Sequence, residues 1–186
     1  KYRGAAPIRW ALINGEKVSG ITIQQINEKL DAGDIILQEP FDVSEDINAA
    51  ELKEQVIEQG SSMLKQAILA INDGTADFIK QNESEATYCG KIDKETARIN
   101  WNKSAKEIHN LVRGLNPKPV AWTTFREKNM KIWKTQLTDL EFQLKPGEMK
   151  RHAKKKLIAG TGDGIIEILQ IQPEVKRQMD GLSFIN

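Results

Sequence analysis

The chain has 186 residues, of which 39% are hydrophobic and 28% charged. These are the proportions of a soluble globular protein rather than of a disordered or collagen-like polymer. Lys and Arg number 27 against 26 Asp and Glu, for a net charge of +1. No apolar run reaches the roughly 20 residues of a membrane span, and the single cysteine, Cys89, excludes an internal disulfide. Cys89 fits a reducing, cytoplasmic compartment, as a small residue before the loop glycine Gly90. No secretory signal is visible, and a chain opening Lys-Tyr-Arg rather than Met is expected to have lost its true beginning.

In chain order, "GAAPIRWALINGEK" predicts a short helix, with Pro7 near its start and Gly15 as its stop. "SGITIQQI" alternates like a strand, Ile21 and Ile23 on one face. "IILQEPF" is a second strand, which Pro40 ends or confines to a sheet edge. Between them lies "NEKLDAGDIILQ", with Asp-Ala-Gly-Asp at the turn. A capping box of Asn48 and Glu51 opens the clearest helix. Its apolar residues Leu52, Val56, Ile57, Met63, Leu64, Ala67, Ile68 and Ile71 recur every three or four positions, and "NDG" at 72–74 ends it. Residues 75–97 are polar and lack a period, as a linker would. A second box, Ser104 with Glu107, starts a helix whose stripe is Ile108, Leu111, Val112 and Leu115, and Asn-Pro-Lys-Pro stops it. Beyond it, "VAWTTF", "NMKIWKTQL", "KKKLIAG" and "GIIEILQIQ" alternate like strands of a small barrel.

Charge divides along the same line. Residues 1–97 hold 10 basic and 17 acidic residues, net −7; residues 98–186 hold 17 and 9, net +8. A basic half either faces a polyanion or carries lysines that only keep it soluble. The densest run, "KRHAKKK" at 150–156, leaves the same two readings open. Two strands and two helices are a small unit for so long an apolar helix, so the acidic half is expected to be the end of a larger α/β domain with strands before Lys1.

Few residues here can carry chemistry. Asp31 and Asp34 make good turn residues around Gly33; a carboxylate there would act chemically only beside a histidine or an amine. His109 adjoins an apolar stripe and His152 sits among lysines, so neither completes a triad or a metal cluster. "GTGDG" at 160–164 lacks a Walker lysine and precedes a strand, which makes it a hairpin turn.

Three stretches carry a family resemblance: "YRGAAPIRWALINGEKVSGITIQQINEKLDAGDIILQ", "ARINWNKSAKEIHNLVRGLNPKPVAWTTF" and "GTGDGIIEILQIQPEVKRQM". In this order they resemble the methionyl-tRNA formyltransferase family, most tellingly at Arg-Gly-Ala-Ala-Pro, 3–7, and Leu-Asp-Ala-Gly-Asp, 30–34. The resemblance implies an α/β plus β architecture. Residues 1–74 would be the end of a Rossmann-like formyltransferase domain, 75–97 a linker, and 98–186 a small oligonucleotide-fold-like β-barrel. The implied reaction moves a formyl group from 10-formyltetrahydrofolate to the amino group of methionyl initiator tRNA, at the start of translation. A cytoplasmic monomer would catalyse it without metal or membrane. Asp31 matches the family's catalytic aspartate, and Asn27, Glu28, Lys29 and Leu30 would line the folate side.

Contacts to tRNA are expected from Lys150, Arg151, Lys154, Lys155 and Lys156, with Lys91 and Lys94 of the linker. The family also uses an Asn-x-His-x-Ser segment before Arg-Gly-Ala-Ala-Pro. It does not occur in these 186 residues, so the chain alone is expected to have no useful transferase activity. A sister enzyme acting on an amino sugar and a stand-alone tRNA-binding module are the alternatives.

Overall fold

The structure is a computed structural model that describes residues 1–153 and 155–185. It divides into two units, residues 1–11 with 16–91 and residues 12–15 with 92–186.

The chain begins with β1 (Arg3–Gly4) and α1 (Pro7–Ile13), the latter as the sequence predicts; α1 belongs to the first unit up to Ala11. β2 (Val18–Gln24) and β3 (Ile35–Asp42) pair antiparallel, with Gly20 opposite Pro40. Pro40 does not end its strand. Among the described residues β2 is the only ladder partner of β3, so the missing proline N–H leaves no gap in a second ladder. α2 (Ala49–Asn72) starts at the expected capping box. The Asn48 side chain accepts from the Ala50 and Glu51 N–H groups, while the Glu51 carboxylate accepts from the Asn48 N–H at 2.9 Å.

The predicted stripe of α2 splits in two. Leu52, Met63 and Ala67 are buried, but Ile57, Leu64, Ile68 and Ile71 are 55%, 49%, 57% and 48% exposed. Two strands about 5 Å apart offer a narrower face than the apolar stripe of a six-turn helix, so one row stays outside.

Residues 75–91, part of the polar stretch read as a linker, pair with this unit. Ile79 and Ile35 exchange both backbone hydrogen bonds, at 2.8 and 2.9 Å. β4 (Tyr88–Cys89) runs parallel to β1, in register Arg3↔Tyr88.

In the second unit, α3 (Ala105–Leu115) carries the second capping box, and Asp163 adds an acceptor for the Ala105 N–H at 2.7 Å. Six strands follow: β5 (Ala121–Phe125), β6 (Lys128–Gln136), β7 (Met149–His152), β8 (Lys156–Gly160), β9 (Ile165–Pro173) and β10 (Met179–Asp180). They form one antiparallel sheet in the order β5-β6-β9-β8-β7, with β10 also on β9. The "GTGDG" stretch is the β8–β9 turn, closed by Thr161 N–H to the Gly164 carbonyl at 2.9 Å. Of the described residues of the basic run, Lys150–His152 end β7, Lys156 begins β8, and Ala153 and Lys155 lie in a turn.

The core of this unit gathers Ile108, Val112 and Leu115 of α3 onto Ile132, Leu157, Ile166, Ile168 and Ile171 of the sheet. Burial is continuous over Ile165–Ile168 at the start of β9, which β6 flanks on one side and β8 and β10 on the other.

Neighbouring residues of α2 give a direct test. Met63→Ala is expected to cost about 2–5 kcal/mol and Leu64→Ala about 1 or less in urea unfolding. Equal costs would mean that the outer row is packed after all.

Candidate active site

β2 ends at Gln24 and β3 starts at Ile35, so residues 25–34 form the connection that holds Asp31. A bulge between Ile23 and Gln24 breaks the ladder as the loop begins, and Gln25 N–H closes its base on the Asp34 carbonyl at 2.9 Å. The chain crosses itself closely here. A Cβ on Gly33 would lie 1.8 Å from the Gln25 carbonyl oxygen, so only glycine fits. Asp31 has a left-handed backbone, φ 50°, which aspartate adopts more readily than most residues.

The Asp31 carboxylate is exposed and accepts the Gly4 N–H at 2.8 Å. This bond follows from the direction of β1. Arg3 and Ala5 donate to the Thr87 and Cys89 carbonyls on one side, which turns the intervening Gly4 N–H to the other. A side chain at Gly4 would meet the Cys89 oxygen at 2.3 Å, and its φ is +127°. The expected folate-side residues Asn27, Glu28, Lys29 and Leu30 are exposed. Together with Gln24–Ile26, Asp31 and Ala32 they line a cavity of about 450 Å³. The Asn27 side chain accepts the Lys29 N–H at 2.9 Å, a local turn that shapes this wall.

Behind the loop lies a network that the sequence does not announce. Arg3 is 6% exposed, and its guanidinium donates to Gln81 Oε1 at 2.7 and 3.2 Å and to the Glu83 carboxylate at 3.0 and 3.1 Å. Gln81 Nε2 in turn donates to the Asp31 and Gly33 carbonyls, at 3.0 and 2.7 Å, and to Gln24 Oε1 at 2.7 Å. The hydrogen bond from Arg3 holds the Glu83 carboxyl below its ordinary pKa, and Glu83 correspondingly raises that of Arg3. Arg3 and Gly4 stand in the "RGAAP" stretch. Gln81 lies in the polar segment and gave no signal.

The basic residues fall out differently. Lys91 and Lys94 are exposed. Lys94 Nζ and the Arg98 guanidinium lie 5.3 and 5.5 Å from the centre of the Trp122 ring, whose indole N–H donates to the Lys94 carbonyl at 2.8 Å. Lys131 stands opposite Trp122 across the β5–β6 ladder. Arg98, Trp122 and Lys131 were not among the expected site residues, because only the pairing brings them together. Lys150 and Arg151 are exposed on β7 and, as consecutive strand residues, face opposite sides. Lys150 Nζ lies 4.9 Å from the Phe142 ring centre. Lys155 is exposed in the turn, and Lys154 lies outside the described residues. Lys156 is paired with the nearly buried Glu167 at 2.6 Å, so its charge already has a partner inside the fold.

Both histidines have structural surroundings. His109 is buried with Nδ1 at 3.0 Å from Thr135 Oγ1, and the His152 ring lies edge-on to Phe142. Among the described residues no group of three His, Cys, Asp or Glu side chains is placed to hold a metal, and no helix is long and apolar enough to cross a membrane. Cys89 is buried and free, donating to the Tyr2 carbonyl.

Two units, one with an aspartate loop joining the strands of a bulged hairpin and one with a helix-packed antiparallel sheet, match the two domains of a known enzyme class. Residues 1–68 match the family model "Formyl transferase", and residues 91–186 match "Formyl transferase, C-terminal domain". The chain belongs to the formyl transferase family.

It is 41% identical over 180 residues to a methionyl-tRNA formyltransferase of Acetivibrio thermocellus, covering 96% of this chain and 58% of that protein. It is 42% identical over 187 residues to one of Lactococcus lactis subsp. lactis, covering 100% of this chain and 59% of that one. The chain thus spans less than two thirds of the curated relatives it matches. Among solved structures, the N-formyltransferase from Helicobacter canadensis, in complex with folinic acid and dTDP-3-aminofucose, superposes with a TM-score of 0.74 at 25% identity. The match covers 93% of this chain and 62% of that one.

The Arg3–Glu83 pair predicts a pH dependence. Because the folded pKa of Glu83 lies below its ordinary 4.5, the pair contributes stability above that pH and loses it as pH falls through the lowered value. The urea midpoint should fall on acidification more steeply in the wild type than in Glu83→Gln, the two curves converging at the acid end. Parallel curves would remove the pair from the stability of the first unit.

Proposed function

We propose that the chain belongs to an enzyme that transfers a formyl group from 10-formyltetrahydrofolate to the amino group of methionyl initiator tRNA. The observation that carries this reading is the Asp31 carboxylate, fixed by the Gly4 N–H at the mouth of a loop built from Leu-Asp-Ala-Gly-Asp. Identity of 41–42% to methionyl-tRNA formyltransferases supports the choice of acceptor.

In this reading the amine nitrogen attacks the formyl carbon. A tetrahedral oxyanion forms, the C–N10 bond breaks, and the proton lost by the amine must reach the departing folate nitrogen. Asp31 is the catalytic residue that assists this proton movement by general acid–base catalysis, in partnership with a histidine as the family resemblance implies. Neither His109 nor His152 is that histidine; each is engaged in the packing of its own unit. Asn27, Glu28, Lys29 and Leu30 form the folate-side wall of the loop cavity.

The second unit, a small-barrel module in this reading, holds the tRNA by its phosphates. Lys94, Lys150, Arg151 and Lys155 are the contacts proposed there, and Lys91 is the contact proposed in the first unit. Arg98 and Lys131 join them, beside the base-stacking surface of Trp122. Lys156 also pairs with Glu167 and, with its side chain 42% exposed, stays among the proposed contacts.

The Helicobacter canadensis enzyme, in complex with folinic acid and an amino sugar nucleotide, supports a second reading in which the acceptor is such a sugar. Competition separates the two. With the protein at its full natural length, methionyl initiator tRNA should be formylated and a dTDP-amino sugar left unmodified; the reverse outcome would establish the sugar reading.

The 186-residue chain by itself should bind tRNA with a strong salt dependence and show no turnover. Lys150→Glu with Lys155→Glu should weaken binding and flatten the plot of log K against log salt by about one to two units. An unchanged slope would remove both residues from the interface.

A further inference from the structure

We propose that Gln81 is the positioning residue that sets the Asp31 carboxylate in place. Its side-chain amide can point only one way. An arginine has donors and no acceptor, so the buried Arg3 guanidinium requires Gln81 Oε1 to face it. The Gln81 NH₂ group is thereby aimed at the loop, where the Asp31 carbonyl, the Gly33 carbonyl and Gln24 Oε1 accept from it at 3.0, 2.7 and 2.7 Å. Glu83 completes the fork from the other side and fixes Arg3.

These bonds hold the backbone of Asp31 at φ 50°, a conformation sparsely populated by residues other than glycine. They also hold Gly33 against Gln25, the crossing that closes the loop. The same Arg3 that orients Gln81 precedes Gly4, whose N–H receives the Asp31 carboxylate. The backbone of Asp31 is thus held through Gln81 and its carboxylate through the Gly4 N–H of β1. Gln81 touches no substrate in this scheme; it acts through Asp31. The chemical part of the proposal rests on the formyl-transfer reading above, whereas the positioning part does not.

Amide hydrogen exchange on the 186-residue chain tests the positioning directly, with the Gly4 N–H as reporter of the Asp31 carboxylate. Gln81→Glu keeps the length of the side chain and an acceptor for Arg3 but places a carboxylate among three oxygens. Gln81→Met keeps the length and removes every hydrogen bond. In both, exchange at Gly4 should rise about tenfold or more, while ladder amides of β2 and β3 change less than about threefold. Gly4 exchange unchanged in both variants would overturn the proposal. So would Gly4 and the ladder rising together, which marks a merely structural residue.

In the full-length protein, Gln81→Met should lower kcat about tenfold with KM for the folate donor within about twofold, the pattern of a lost transition-state interaction. A raised KM with kcat unchanged would refute the chemical part. Absence of transfer by the wild type would refute the functional reading, with the exchange result still deciding the role of Gln81.

Discussion

Arg3 cannot shed its charge, and it is buried. A guanidinium out of water needs an acceptor for its N–H groups, since an unpaired buried charge is strongly destabilising. Gln81 and Glu83, from a segment almost 80 residues away in the chain, supply these acceptors. Everything local to the loop follows from that. β4 is brought beside β1, the Gly4 N–H is left pointing at Asp31, and the Gln81 amide faces the loop carbonyls. Residues 75–91 therefore serve as the third side of the loop's frame, beside β1 and the β2–β3 hairpin.

The two units use the sequence in contrasting ways. In the second, the helix α3, a short C-terminal helix (Gly181–Ile185) and a six-stranded sheet share a single core among the described residues, and charged residues such as Lys156 and Glu167 are paired at its edge. In the first, a two-stranded hairpin meets a helix with more apolar surface than the hairpin can cover. The second can rely on packing to stay in register. The first relies on hydrogen bonds to polar side chains, and these are also the groups that hold Asp31.

Local rules were legible. Both capping boxes, the Pro40 edge strand and the "GTGDG" hairpin turn depend on residues within a few positions of one another, and each is present. Judgements about what covers a surface were less so. The eight-residue stripe of α2 looked uniform because periodicity reports a face and not its neighbour, and half of that face is open. The lysine run looked like one feature. Its described members divide between two strands and a turn, and Lys156 pairs with Glu167, 11 residues further on. Asp31 stood out by resemblance. Gln81 could not, because its partners Arg3, Gln24 and Gly33 lie 48 to 78 residues away and only the fold assembles them.

In the proposed reaction the chemistry runs through Asp31. The most direct measurement is the rate of formyl transfer from 10-formyltetrahydrofolate to methionyl initiator tRNA by the full-length protein, with Asp31→Asn compared against the wild type. Asparagine keeps the size of the side chain and an acceptor for the Gly4 N–H but gives up the carboxylate. Asp31→Asn should lose about 100-fold or more, the contribution typical of a general acid–base group. A variant that retains half of the wild-type rate would contradict that role.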